Sequence, residues 1–472
     1  VPPDPPARQA APPGDGQGTL FDAGPAPSAG LADPLGALIR VYADQRARID
    51  RAAEPGRLRM LVAAESAGAL VAAEMGHHGL PWRVDVHDAV LVELLGPPSP
   101  VGGPPRRLGE LAQQINEAFG QRIHPDSPAE VVRAFARIGI QVPNTRAWVL
   151  QRVEHPVVPL LLEYKELYRI WVAHGWSWRE QWVHAGRFHA EYVPGGVVSG
   201  RWATRGGGAL QVPKVVRRAV VADPGWTFVV ADAGQLEPRV LAAVSGDPGM
   251  MRAAGAGDMY AVLATEAFSG DRPRAKVALL GAMYGQTGGA AVPALAALRR
   301  FYPTAWEYVE SAARTGEAGG LVRSWLGRTC PPPSVTWRSF AGDEGPDQPP
   351  AYEEDGPRTS AAARARGRFT RNFVIQATAA EWALVLLARL RGALTGTPAE
   401  LVFFQHDEVV VHCPAELAGM VVEAVETAGE HARRLLFGDA PVRFPLGVST
   451  VECYADAKGP VPDPSGPEVH GA

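Results

Sequence analysis

Two aspartates stand where apolar strands should end. The stretch Leu401-Val-Phe-Phe-Gln-His-Asp-Glu-Val-Val-Val-His-Cys-Pro414 sets two apolar, β-branched and aromatic runs around a charged His406-Asp407-Glu408 tip. It reads as a hairpin with carboxylates at its turn. Burying such strands with acids at their junction is costly unless a cation or hydrogen bonds compensate. A second apolar run, Trp226-Thr-Phe-Val-Val-Ala231, leads straight into Asp232, then Gln235, Glu237 and Arg239. Two strand-end aspartates, separated by a long helical stretch, suggest a divalent-metal site. That chemistry points to phosphoryl transfer.

Between the two aspartates, Arg272, Lys276, Leu280 and Tyr284 recur every fourth residue. On a helix of 3.6 residues per turn they form one gently drifting stripe. Two cations, then an apolar residue and a tyrosine, suit a ligand with a polyphosphate at one end and an aromatic base at the other. The competing reading is a solvated Arg/Lys face beside core residues. Gly281 and Gly285 weigh against it, because a glycine inside a helix costs roughly 1 kcal/mol and often permits close approach.

Length and composition fit a large enzyme: 472 residues can hold two to four subdomains. No apolar run approaches the roughly 18 residues of a membrane span, so no membrane partner is expected. No signal peptide is visible and the first residue is Val1, which is expected of a fragment or a processed form. Cys330, Cys413 and Cys453 show neither metal spacing nor a disulfide framework, which fits a reducing cytoplasm. The net charge of −4 counts against a nucleic-acid partner, but distribution matters more than the total. From Arg187 to Val221 the charges are Arg187, Arg201, Arg205, Lys214, Arg217 and Arg218 against Glu191 alone. A solvated basic loop is the plainer account of that strip.

Around these groups the elements can be sketched. Residues 1–30 are Pro/Ala/Gly-rich and read as a disordered linker. Helical patterning begins near Leu31 and strengthens over 58–75; 79–85 reads as a turn and short strand. Helices are expected at 108–119, at 128–138 with Ser127 as N-cap, and at 157–172. The basic strip should be extended and loop-rich between its glycine clusters. Helices follow at 235–245, from 258 to about 315, and at 373–394. Residues 329–367, with Pro331-Pro-Pro333 and the Glu353-Glu354-Asp355 cluster, read as a mobile insertion, and the last residues as a tail.

At this level of detail the chain resembles the family A DNA polymerases, the bacterial DNA polymerase I type, in an actinobacterial-like form. Asp232-Ala-Gly-Gln-Leu-Glu-Pro-Arg239 is similar to the family's motif A, usually Asp-Tyr-Ser-Gln-Ile-Glu-Leu-Arg. Arg272 to Gly285 resembles motif B, Arg371-Asn-Phe-Val-Ile-Gln-Ala-Thr-Ala-Ala380 resembles Arg-Asn-x-x-Ile-Gln-Gly-Thr-Ala-Ala, and Gln405-His-Asp-Glu408 resembles motif C. Shorter matches are Ser199-Gly-Arg201, Leu210-Gln-Val-Pro213 and Leu162-Glu-Tyr-Lys-Glu-Leu167. All four motifs stand in the family's order.

The resemblance implies an α+β right-hand polymerase, with an antiparallel palm sheet and helical thumb and fingers. After the linker, 31–96 would be an N-terminal helical segment and the start of the palm, and 97–185 the thumb. The palm with motif A would span 186–239, the fingers with motif B 240–384, and the palm with motif C 385–457, before a disordered tail at 458–472. Asp232, Asp407 and the Ala233 carbonyl would hold two Mg²⁺ ions, with Mn²⁺ a possible substitute and Glu408 a possible support. Arg272 and Lys276 would grip the triphosphate, Lys276 also donating a proton to pyrophosphate. Gln235, Tyr260, Leu280 and Tyr284 would line the dNTP site, and Glu237 would exclude a ribose 2′-hydroxyl. Arg201, Gln211, Arg239, Asn372, Gln376 and His406 would contact primer–template DNA, with Arg201, Gln376 and His406 at minor-groove acceptors. The expectation is a monomeric DNA-directed DNA polymerase of the cytoplasm, associated with the nucleoid and acting in replication and repair.

Several residues depart from the family pattern. Ala233 and Gly234 replace Tyr-Ser, Pro238 follows Glu237, Tyr260 replaces a phosphate-binding histidine, and Leu280 replaces a stacking aromatic residue. The last two predict weaker dNTP binding or altered sugar discrimination. The family's 3′–5′ exonuclease begins with Asp-x-Glu, and no such triplet occurs in this sequence, so synthesis without proofreading is expected. Two other readings stay open: a primer–template binding relative with weakened catalysis, and an unrelated metal-dependent hydrolase.

Overall fold

The structure is a computed structural model and describes residues 33–99, 102–285, 291–334 and 360–457. These fall into two compact units, up to Pro55 and from Gly56 onward. The first holds one helix, α1 (Pro34–Asp50), with Asp33 as N-cap accepting from the Gly36 N–H at 2.8 Å.

The second unit holds α2 (Pro55–His78) from its second residue on, then strand β1 (Leu80–Pro81) and α3 (Val84–Leu95). Four helices follow: α4 (Arg106–Phe119), α5 (Pro128–Arg137), α6 (Ala147–Leu150) and α7 (Val157–His174). Ser127 caps α5 as its sequence predicts, with Pro128 in the first turn. Helix α3 is a correction, since Val84-Asp85 looked like the end of a strand. Its β-branched residues carry weak helix propensity, which burial of His87, Val90, Leu91 and Leu95 overrides. Next come α8 (Trp176–Trp182) and strands β2 (Val183–His184), β3 (Arg187–Phe188), β4 (Glu191–Val193) and β5 (Ala203–Arg205).

The central sheet is built from β6 (Trp226–Ala233), β7 (Glu400–Gln405), β8 (Glu408–Pro414) and β9 (Leu446–Val451), all pairs antiparallel, in the order β7-β8-β6-β9. Between β6 and β7 run α9 (Leu236–Ser245), α10 (Pro248–Gly255), α11 (Met259–Ala267), α12 (Arg272–Tyr284), α13 (Ala291–Phe301), α14 (Pro303–Glu317) and α15 (Ala361–Leu394). Helix α16 (Ala418–Phe437) connects β8 to β9.

Both faces of this sheet are covered, which explains why its strands are near-continuous apolar runs. Val229, Ala231, Ala233, Val409 and Val411 pack into one core with α9, α15 and α16. Phe228, Val230 and Val410 pack into a second core with α3–α8. A register shift between Leu401 and Phe403 inserts one extra residue in β7, so Val402 and Phe403 both join the second core.

Helix α15 starts at Ala361, with Ser360 as N-cap, so the final residues of the expected insertion are helical. The reason is burial: Arg366 Nη2 donates to the Pro331 carbonyl at 2.9 Å, and Gly367 packs against Glu317. The acidic cluster at 353–355, the N-terminal linker and the tail at 458–472 lie outside the described residues. By length and composition α15 could cross a membrane, but 83% of its apolar window is buried inside the fold. The three cysteines are free.

Candidate active site

The two aspartates come to the same end of the central sheet because β6 and β8 are neighbours. Their register pairs Asp232 with Glu408, and Asp407 is the second residue of the tight His406-Asp407 turn joining β7 to β8. The Ala233 N–H donates to the Asp407 carbonyl at 2.9 Å, which stitches the turn onto the end of β6. A two-residue hairpin connection favours positive φ, and His406 supplies it at +59°. Gln235, which opens α9 just beyond Asp232, has the same φ of +59°. Non-glycine residues adopt that conformation at a cost and cluster at functional sites. Here one such residue sits beside each aspartate.

A cleft of about 240 Å³ lies at this rim. Arg201, Gln235, Glu237, Tyr260, Tyr284, His406 and Asp407, all singled out from sequence, line it with Leu236, Pro238, Ala379 and Ala380. Glu237 is nearly buried, and both its oxygens are engaged. Arg201 Nη2 donates to Oε1 and the Tyr284 hydroxyl to Oε2 at 2.6 Å. Burial and then the bond to Glu237 raise the Tyr284 phenol well above its ordinary value. Burial lowers the His406 imidazole, Arg201 lowers it further, and Glu237 opposes.

Helix α12 brings its stripe to the cleft through Tyr284, and Gly285 ends it at φ +68°. A side chain at Gly285 would stand 2.7 Å from Arg368 Cγ, so this glycine serves termination and close packing together. Leu280 is half-buried against the larger core and Lys276 is exposed. Arg272 turns toward α11: its Nε donates to Asp258 Oδ2 at 2.8 Å, and its guanidinium lies 5.7 Å from the Tyr260 ring centroid. Asn372 and Gln376 share the face of α15 that continues to Ala379 and Ala380. Gln211 is exposed on a short turn held by Gln405, whose amide donates to the Leu210 carbonyl.

Two expectations need correcting. Arg239 is 0% exposed and cannot reach DNA as placed. Its guanidinium donates to the carbonyls of Gly234, Ala254, Ala256, Gly257 and Arg443 and to Gln235 Oε1, at 2.7–3.2 Å. The charge ties the start of α9 to the turns around α10 and to the segment before β9. The basic strip, too, is largely paired with acids, four of the five outside the strip itself. Arg187 meets Asp223, Arg201 meets Glu237, Arg205 meets Glu191, Arg217 meets Glu408 and Arg218 meets Glu93. Lys214 alone of the six has no ion pair among the described residues.

Sequence reasoning gave no site role to Asp258, Arg217 or Tyr454. Asp258 caps α11, a local signal that Asp before Met-Tyr-Ala carries. Its ion pair with Arg272 has no local signal. Burial would raise the Asp258 pKa, but hydrogen bonds from Arg272 and Gln235 hold it below the usual range. Glu408 is buried, accepting from the Tyr454 hydroxyl with Arg217 Nη1 at 3.7 Å.

As metal ligands, Asp232, Asp407 and the Ala233 carbonyl would offer oxygen atoms, the hard donors that suit Mg²⁺ or Mn²⁺. No group of three or more His, Cys, Asp or Glu side chains capable of holding a metal stands together among the described residues. Mg²⁺ is commonly bound through one or two carboxylates together with substrate phosphates, so Asp232 and Asp407 would be the ligands to test.

Comparison with known proteins agrees with this geometry. The sequence pattern of DNA polymerase family A matches residues 105–451. The chain is 27% identical over 335 residues to the thermostable DNA polymerase I of Thermus thermophilus, covering 65% of this chain and 37% of that protein. It is 23% identical over 376 residues to DNA polymerase I of Deinococcus radiodurans, covering 70% of this chain and 36% of that one. The chain therefore spans well under half of these relatives. The polymerase domain of Pol1 from M. smegmatis, solved with DNA primer–template and dNTP, superposes with a TM-score of 0.70 at 19% identity. That match covers 89% of this chain and 74% of the solved one, and it carries the α+β right-hand fold.

Proposed function

Because the chain belongs to DNA polymerase family A, we propose that it extends a DNA primer with dNTPs under the direction of a DNA template. One observation carries the reading. Pairing of β6 with β8 sets Asp232 and Asp407 at one rim, beside a cleft lined by Arg201, Glu237, Tyr260, Tyr284 and His406.

Asp232, Asp407 and the Ala233 carbonyl would hold two Mg²⁺ ions, which when bound lower the pKa of a primer 3′-hydroxyl and neutralise charge on the transferring phosphate. Mn²⁺ offers the same hard-ion chemistry. The protein's own share is positioning and charge stabilisation. Arg272 would grip the triphosphate as a fork and Lys276 as a point charge, with Lys276 returning a proton to the leaving pyrophosphate. Tyr284 and Leu280 would border the base. Glu237, pinned by Arg201 and Tyr284, would fill the space a ribose 2′-hydroxyl needs. Arg201, Gln376 and His406 would meet minor-groove acceptors, which recur at every base pair and so report pair shape. Gln211 and Asn372 would contact the DNA flanking them. The reading includes a monomer and synthesis without proofreading by this stretch of chain.

The test is extension of a labelled primer on a DNA template with Mg²⁺ and dNTPs, beside Asp232→Ala and Asp407→Ala. Templated extension by the parent and by neither variant is expected. Tight primer–template binding without extension, in Mg²⁺ or Mn²⁺, would overturn catalysis in favour of a binding module. Release of mononucleotides without template dependence would point to a hydrolase.

A further inference from the structure

Arg272, the residue assigned to the triphosphate, is already holding an anion. Asp258 Oδ2 accepts from its Nε at 2.8 Å. Asp258 is itself fixed in place, since Oδ1 accepts from Gln235 Nε2 at 2.7 Å and from the Ala261 N–H at 3.2 Å. Gln235 Oε1 in turn accepts from the Met259 N–H at 2.9 Å and from buried Arg239 at 3.0 Å. A continuous hydrogen-bonded chain therefore runs from the end of the Asp232 strand, through Gln235 and Asp258, to the first residue of α12. The Tyr260 ring backs the same guanidinium.

We infer that Asp258 is a latch on the nucleotide site: it occupies Arg272 while the site is empty, and an incoming triphosphate must take Arg272 from it. The inference rests on the proposed polymerase reading and adds a positioning residue that tunes nucleotide affinity. A carboxylate and a phosphate compete for the same guanidinium fork, and both cannot hold it fully. Asp258 also leaves a negative charge beside the path of a polyanion. Lys276, one turn further along α12, has no ion pair among the described residues, so the contest concerns Arg272. The latch keeps the fork aligned at the cost of affinity, and it closes again as pyrophosphate leaves.

The test uses the full chain with Asp258→Asn, which keeps an N-cap and an acceptor for Gln235 while removing the charge. Asp258→Ser serves if the first variant is unstable. Single-nucleotide incorporation on a primer–template gives KM and kcat, and inhibition by inorganic tripolyphosphate gives a second reading without a base. An exposed ion pair of this kind predicts a dNTP KM lower by about two- to fivefold, with the tripolyphosphate inhibition constant falling in parallel. In an Arg272→Gln background the same change should lower KM clearly less. A KM that stays level or rises in Asp258→Asn overturns the latch, as does an equal fall in the Arg272→Gln background. A parent that neither extends a primer nor binds dNTP removes the polymerase reading itself. A parent that extends, with KM insensitive to Asp258, removes the latch alone.

Discussion

Replacing Arg239 separates a structural cation from a DNA-binding one. Arg239→Met keeps most of the stem's volume and deletes the guanidinium. Six hydrogen bonds go with it, five to backbone carbonyls and one to Gln235. At about 1 kcal/mol net each, that is a loss of about 6 kcal/mol. That net value already includes the cost of taking the cation out of water, for which burial lowers the Arg239 pKa from an ordinary 12.5 to about 10. The expected destabilisation is therefore about 6 kcal/mol. Urea unfolding followed by circular dichroism reads it as a lower midpoint with an unchanged slope. Primer–template affinity, measured by fluorescence anisotropy at a temperature where both proteins are folded, should stay within about twofold, since a side chain with no exposed surface has no phosphate to lose. A variant as stable as the parent but tenfold weaker on DNA would refute this reasoning and return Arg239 to the DNA surface.

Other perturbations follow from the same geometry. His87 and His174 are buried in an aromatic cluster with Trp82 and Trp178, and burial lowers both to about 4. A lowered folded-state value means stability present above the ordinary 6.5 and lost as pH falls toward 4. From about pH 7.5 to about pH 5 each histidine should cost about 2 kcal/mol, less than additively because their charges repel. Glu381, raised to about 7 by burial, acts in the opposite sense, favouring the fold as pH falls. The assay is therefore a difference: a His87→Gln, His174→Gln double variant should show a flatter loss of unfolding midpoint with acid than the parent, and parallel curves would exclude the pair. Leu280→Phe restores a stacking surface beside the expected base, so dNTP KM should fall roughly threefold and dideoxynucleotide use should change. An unchanged KM and unchanged dideoxynucleotide use would show that Leu280 does not border the nucleotide.

Where the sequence marks a strand end by its local pattern, the strand ends there or within a residue or two: β6 runs to Ala233 and β7 to Gln405. Asp232 and Asp407 each end an apolar run, and a strand buried on both faces must run until something charged stops it. Those two ends are therefore legible from sequence, and so is the tip of the hairpin. Partners are a different matter, because a cation's partner is chosen in three dimensions. Arg239 and Arg272 look alike in the sequence, each near the start of a helix and close to an acid. One is buried among backbone carbonyls, since the turns around α10 and the segment before β9 converge on it and leave unpaired oxygens that only a multidentate donor can fill. The other stays near the surface and pairs with a helix cap. The basic strip fails for the same reason: local counting sees one acid, Glu191, whereas folding brings Glu93, Asp223, Glu237 and Glu408 to it. Net positive surface is thus much smaller than the run of arginines implies. On the polymerase reading, an anionic substrate would therefore meet arginines already paired with acids, Arg272 with Asp258 among them.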